Sequence, residues 1–139
     1  MCKSKGTVLS INDDLHSLTM PPITRQTLAI YCGASGDHNP IHIDFDFARE
    51  SGLDDVIAHG MLVMAYMGRF LTNSVRQDVI RSFDARFQAM TRVGDEITVQ
   101  GRVAKKFIDD GVACAQVDLT AVNQDGEIKA VGSAIVGPA

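Results

Sequence analysis

Ala58-His59-Gly60-Met61-Leu62-Val63-Met64-Ala65-Tyr66-Met67-Gly68-Arg69-Phe70-Leu71 is the stretch whose reading decides the fold. It is apolar nearly all round and runs on to about Asn73. A helix with no evident wet face has to be buried on most sides, so the rest of the chain must wrap it. The wrapping comes downstream, where the hydrophobic period changes from helical to alternating. Ile80, Phe83, Ala85, Phe87 and Ala89 alternate roughly, and Ile97 to Val103 alternate cleanly. Val112 to Val122 and Ile128 to Val136 are rich in valine, alanine and isoleucine. Val93-Gly94-Asp95, Asp109-Asp110-Gly111 and Asn123-Gln124-Asp125-Gly126-Glu127 read as the turns between these segments. The expectation is four long antiparallel strands in a meander, whose twisted sheet curls around the helix in an α+β arrangement.

Upstream, residues 1 to about 22 hold short apolar positions (Val8, Leu9, Ile11, then Leu15 to Met20) and end at Pro21-Pro22, an extended lead-in. Thr24 is placed to N-cap a helix of about ten residues, with Leu28, Ala29, Ile30 and Cys32 on one face until Gly33 and Gly36 stop it. Further on, Phe45, Phe47, Ala48 and Gly52 suggest a short helical turn with Asp44 or Asp46 at its start, where a carboxylate suits the exposed amides. Between these helices lies Ser35-Gly36-Asp37-His38-Asn39-Pro40-Ile41-His42-Ile43-Asp44. Proline removes a donor and pushes the residue before it toward extended geometry, so Asn39-Pro40 is a bend. Asp37 and His42 flank that bend and can point into one space, which is what general acid/base chemistry needs.

Composition narrows the class. At 139 residues and 15.0 kDa the chain reads as one domain over residues 1–139, large enough for a core without staples. With 45% apolar and 22% charged residues it has the profile of a soluble globular protein. A net charge of -4 and the absence of a basic run argue against nucleic acid as a partner. No stretch is long and apolar enough to span a membrane, and Met1 to Gly6 is not followed by an apolar signal core. Cys2, Cys32 and Cys114 are odd in number and lack metal-ligand spacing, which fits a reducing compartment, so the expected location is cytoplasmic.

Each candidate group also has a plainer role. Asp37 can satisfy loop amides and His42 can be a buried structural imidazole, although their meeting on one bend weighs toward chemistry. Gly60, opening the buried helix after His59, offers a main-chain N–H at a helix N-terminus, a candidate oxyanion donor that is otherwise ordinary capping. A metal held by Asp37, His38, His42 and Asp44 lacks the usual ligand spacing, and none is expected. Cys32 and Cys114 read as core residues, and Met61, Met64 and Met67 as helix core.

Gly36-Asp37-His38-Asn39-Pro40-Ile41-His42-Ile43-Asp44 followed by Ala58-His59-Gly60-Met61-Leu62 resembles the hydratase-2 motif of the MaoC-like hot-dog proteins. That family includes R-specific enoyl-CoA hydratases and (3R)-hydroxyacyl-ACP dehydratases. The motif spans about residues 20 to 75, and the strands that follow agree in order and length. The resemblance implies a hot-dog fold, with a long central helix wrapped by a curled antiparallel sheet, acting on an acyl thioester of CoA or acyl carrier protein without a cofactor. It implies that Asp37 and His42 hold the catalytic water, that the Gly60 amide binds the thioester carbonyl, and that Asn39 and His59 support the loop. Where some such hydratases carry a small hydroxylated residue further along the helix, this chain has Gly68.

The same resemblance implies a homodimer or higher homo-oligomer, with a hetero-oligomer as the other arrangement. Arg86, Arg92, Arg102, Lys105 and Lys106 are candidates to meet CoA phosphates or an acidic carrier protein, or are solvated strand faces. Two rival functions stand beside hydration. One is a hot-dog acyl-CoA thioesterase, which uses an acidic residue and water at the carbonyl. The other is a non-catalytic subunit that shapes the acyl pocket of a hetero-oligomeric dehydratase, against which the retention of both Asp37 and His42 counts.

Overall fold

The computed structural model describes residues 15–138, so the lead-in positions Val8, Leu9 and Ile11 lie outside the described residues. Its centre is a fifteen-residue helix, α3 (Gly60–Ser74), which buries Leu62, Val63, Tyr66, Met67, Phe70 and Leu71. Those positions recur with helical spacing and form one broad apolar stripe. The opposite stripe, Met61, Ala65, Arg69 and Thr72, is exposed. The expectation of no wet face is therefore corrected: methionine and alanine on that side hid the stripe from hydropathy.

Five strands form one antiparallel sheet against α3: β1 (Leu18–Thr19), β2 (Ile80–Phe87), β3 (Thr98–Asp109), β4 (Val112–Val122) and β5 (Ile128–Val136). Their order is β1-β3-β4-β5-β2. The last three long strands are consecutive hairpins, as expected, but β2 pairs with β5 at the far edge rather than with β3. Val93-Gly94-Asp95 is thus not a hairpin turn, a second correction. Alternation reports that a strand exists, not which neighbour it takes. The segment 88–97 carries the chain from one edge of the sheet toward the other. It is tied on the way to Ile23, two residues before the first helix, with the Gly94 amide donating to the Ile23 carbonyl at 2.7 Å and the Ile23 amide to the Asp95 carbonyl at 2.9 Å.

Inward positions of the sheet, among them Val99, Val103, Val117, Leu119, Ala121, Ala130 and Ala134, are buried together with the α3 stripe. Gly101 is required by this packing. A Cβ there would stand 2.4 Å from the Phe70 ring, so the missing side chain is what lets Phe70 reach the sheet. Burying a phenylalanine fully is worth about 1.5–3 kcal/mol.

The shorter helices start and stop for local reasons. In α1 (Arg25–Ser35) the Thr24 hydroxyl accepts from the Thr27 amide at 3.1 Å, and Gly36, at φ 77°, ends the helix in the left-handed conformation. Gly33 lies inside α1 and does not stop it. Only Leu28 and Cys32 of the expected face are buried, while Ile30 is 64% exposed. In α2 (Phe45–Glu50) the Asp44 carboxylate accepts from the Phe47 amide at 3.1 Å and Ala48 is buried. Cys114 is buried in β4, as expected of a core residue. Among the described residues no helix is long and apolar enough to cross a membrane.

Candidate active site

Between α1 and α2 the chain is shaped by side chains bonding to nearby amides, the habit that makes Ser, Asp and Asn turn formers. The Ser35 hydroxyl accepts from the Asp37 amide at 3.2 Å, an Asp37 carboxylate oxygen from the Asn39 amide at 3.3 Å, and the Asn39 side-chain carbonyl from the Ile41 amide at 3.1 Å. Asn39 thereby caps a single 3-10 turn, Pro40–His42, with proline at its first position, where no N–H is needed. This turn aims the His42 ring back toward Asp37.

His42 is held from behind. Its Nδ1 lies 2.8 Å from the Ile57 carbonyl oxygen. A carbonyl only accepts, so Nδ1 carries the proton and, in the neutral ring, Nε2 presents a lone pair. That Nε2 stands 3.9 Å from Asp37 Oδ2. The gap is too long for a direct hydrogen bond and short enough for one water to touch both atoms. The His42 side chain is 11% exposed and that of Asp37 52%.

His59 stacks on His42 with ring centroids 3.8 Å apart and planes 25° apart, and Tyr31 meets its edge at 4.9 Å. Its Nε2 donates to the Asp37 main-chain carbonyl at 3.2 Å, which leaves Nδ1 buried without a partner. Burial pushes the His59 pKa below the usual imidazole value, against the pull of the Asp37 carbonyl, and a charged His42 would push it further down. His59 is by position the N-cap of α3 but makes no side-chain cap bond. Its contacts go to the loop: it ties Asp37 and lies flat on His42.

Gly60 is the first residue of α3, so its N–H has no partner within the helix. A Cβ on it would lie 3.2 Å from the Phe87 ring. His42 and Gly60 share a cleft of about 360 Å³ with Ile57, Val63, Phe87, the segment 88–91 and Lys129, while Asp37 and Asn39 stand outside its walls. Gly68 lies elsewhere, with its Cβ position 3.6 Å from Phe83 on β2.

A metal deserves a geometric test. One ligand atom each of Asp37, His42 and His59 lies within 4.8 Å of the others, whereas His38 is exposed and Asp44 serves as the α2 cap. The two imidazoles are stacked with planes 25° apart, and the His59 Nε2 is already engaged by the Asp37 carbonyl. The arrangement suits a water held by a carboxylate and a neutral imidazole better than a coordination sphere. Of the basic candidates, Arg86 on β2 and Arg92 beyond Thr91 are exposed close in sequence to the cleft wall, and Arg102, Lys105 and Lys106 lie along β3.

The site also depends on groups the sequence did not single out. The Ile57 carbonyl holds His42, the Thr91 carbonyl accepts from the Ala58 amide at 2.8 Å, and Lys129 is buried against the segment that carries Thr91. Main-chain acceptors leave no trace in a sequence. Lys129 does leave one, a lysine in a run of valine, alanine and isoleucine.

Residues 10–124 match the family described as MaoC like domain. Over 120 residues the chain is 34% identical to fatty acid synthase 2 of Mycosarcoma maydis; the match takes in 80% of this chain and only 3% of the synthase. An (R)-specific enoyl-CoA hydratase of Rhodospirillum rubrum is 33% identical over 101 residues, 66% of this chain and 69% of that protein. In three dimensions the chain superimposes on the unliganded R-hydratase PhaJ1 from Pseudomonas aeruginosa with a TM-score of 0.80 and 25% identity, covering 94% of this chain and 83% of the other.

Proposed function

The chain belongs to the MaoC-like domain family, with its hot-dog fold, and from that premise we propose that it is a hydro-lyase interconverting trans-2-enoyl and (3R)-3-hydroxyacyl thioesters. The observation that carries this reading is the pairing of Asp37 Oδ2 with the lone-pair nitrogen of His42, 3.9 Å apart on one bend. Both groups are acceptors, so a water between them points both hydrogens at protein and its oxygen lone pair outward. In hydration that oxygen bonds to C3 of the enoyl thioester, one of its protons passes to the Asp37/His42 pair, and the pair returns a proton to C2. Atoms and charge balance as H and OH added across the double bond, with no covalent enzyme intermediate.

As C3 is attacked, negative charge builds on the thioester carbonyl oxygen. The Gly60 N–H at the α3 N-terminus is the donor that receives it, favoured by the helix dipole. Ile57 fixes the His42 tautomer, and His59 holds Asp37 and His42 in register while staying neutral itself. The apolar walls around Ile57, Val63 and Phe87 suit the acyl chain. Dehydration is the same path run backwards, and metabolite levels set the direction. Among the described residues one edge of β2 carries no strand partner, and a second copy pairing there gives the homodimer we favour.

The test is spectrophotometric. The purified protein is expected to remove the enoyl absorbance of crotonyl-CoA or a longer trans-2-enoyl-CoA, and Asp37→Asn and His42→Ala are each expected to lose about 10²–10⁴-fold in rate. Release of free thiol in place of hydration indicates a thioesterase, and activity indifferent to both substitutions removes this mechanism.

A further inference from the structure

Lys129 is the largest buried charge the proposed chemistry leaves unused, and its position is built rather than incidental. In the β4–β5 ladder Ala121 pairs with Ala130 and Val122 with Ile128, so Lys129 is the extra residue of a β-bulge. A bulge re-aims a side chain out of the ladder's alternation, and such bulges gather beside active sites. Here the lysine is turned under the crossing segment 88–95 and is 2% exposed.

Its ammonium has three N–H donors and meets three acceptors: the Met90 carbonyl at 2.8 Å, Asp95 Oδ2 at 3.3 Å and the Glu127 carboxylate. With hydrogen bonds to Met90 and Glu127, an ion pair to Asp95 and 2% exposure, the group fixes protein rather than substrate. What it fixes is the cleft wall. The Gln88 amide donates to the Lys129 carbonyl at 2.9 Å, and Asp95 accepts from the Arg92 amide at 2.8 Å and from the Asn123 side-chain amide at 3.1 Å. That wall in turn holds residues 57–58: the Thr91 carbonyl accepts from the Ala58 amide at 2.8 Å, and Ile57 bridges to Arg92. Ile57 supplies the carbonyl that sets the His42 tautomer, and Gly60 follows three residues on.

We propose that Lys129 is a positioning residue for the acid/base pair, its buried ammonium clamping Met90 and Asp95 so that the Ile57 carbonyl keeps the His42 proton on Nδ1. The proposal rests on the hydration reading for its kinetic consequence but not for its structural one. A lysine that merely stabilised the sheet would leave the His42 tautomer alone.

The test uses the full chain with 15N-labelled histidine, the nitrogen pairs of its four rings assigned by single His→Gln variants. Spectra are taken at about pH 8, above the ordinary imidazole range. Wild type is expected to show His42 protonated on Nδ1. Lys129→Met is expected to mix the two tautomers and to lower kcat for crotonyl-CoA hydration by about tenfold or more, with KM within about threefold. Asp95→Asn, which keeps the volume and one acceptor, is read by the same criteria and decides the matter if Lys129→Met does not fold. A His42 ring that already mixes tautomers in wild type, that keeps its Nδ1 proton in the variant, or that loses it without a fall in kcat overturns the proposal. If wild type hydrates no enoyl thioester, the hydration reading fails by itself and the ring spectra still decide the role of Lys129.

Discussion

Gly60→Ala separates catalysis from stability at a single atom. The added Cβ would stand 3.2 Å from two carbons of the Phe87 ring, close enough that ring or helix start must give by a few tenths of an ångström. A preorganised oxyanion donor is worth roughly 3 kcal/mol, and about 1.4 kcal/mol is a factor of ten, so full loss is roughly 150-fold. A misplacement of about 1 Å costs about 10²-fold in comparable sites. The substitution is thus expected to lower kcat by about 10- to 100-fold. Stability should not follow, since alanine is the better helix former by as much as about 1 kcal/mol, less at a first position. The assay is steady-state hydration of crotonyl-CoA beside a thermal melt, repeated in Gly60→Ala/Phe87→Leu, where the smaller side chain makes room. A normal kcat in the single variant, or a loss that Phe87→Leu does not relieve, refutes the assignment of Gly60 as a donor placed by its lack of a side chain.

Three further outcomes concern the frame of the site. The folded His59 pKa lies below the ordinary 6.5, so between those values the unfolded chain binds a proton the folded one refuses, and stability falls as pH drops below about 6.5. His59→Gln should flatten that dependence in urea unfolding compared at about pH 5 and about pH 8, and equal slopes contradict the neutral stacked imidazole. Gly132→Ala places a Cβ 2.2 Å from the Asp84 carbonyl oxygen on β2, a main-chain atom with nowhere to go, and should cost at least about 2 kcal/mol in denaturant melts. Thr24→Ala removes the α1 cap and should cost about 1 kcal/mol by the same measurement, with hydration kinetics unchanged.

What was readable in the sequence, and what was not, divides along the range of the interactions. The bend at Asn39-Pro40 and the caps at Thr24 and Asp44 are made by side chains and amides within a few residues, so their geometry is implicit in residue order. The four long strands were likewise visible, three with their turns. The place of β2 was not: its partner β5 lies across two intervening strands, and nothing in Ile80–Phe87 encodes which edge it joins. The wet stripe of α3 was hidden because Met61 and Ala65 look like core until the sheet shows which side it covers.

Within the candidate site, Asp37, His42 and Gly60 could be named because their types are rare in that order, and the structure stacks His59 onto His42 and bonds it to the Asp37 carbonyl. The Ile57 carbonyl could not, since every residue has one. Lys129 was overlooked because a strand's alternation gives no warning of a bulge.

The central claim is water addition and removal by the Asp37/His42 pair, and stereochemistry tests it most directly. Wild-type protein given (3R)- and (3S)-3-hydroxybutyryl-CoA separately is expected to generate enoyl absorbance from the 3R thioester alone, with Asp37→Asn inactive on both. Enoyl formation from the 3S isomer, or liberation of CoA thiol without any enoyl product, would contradict it.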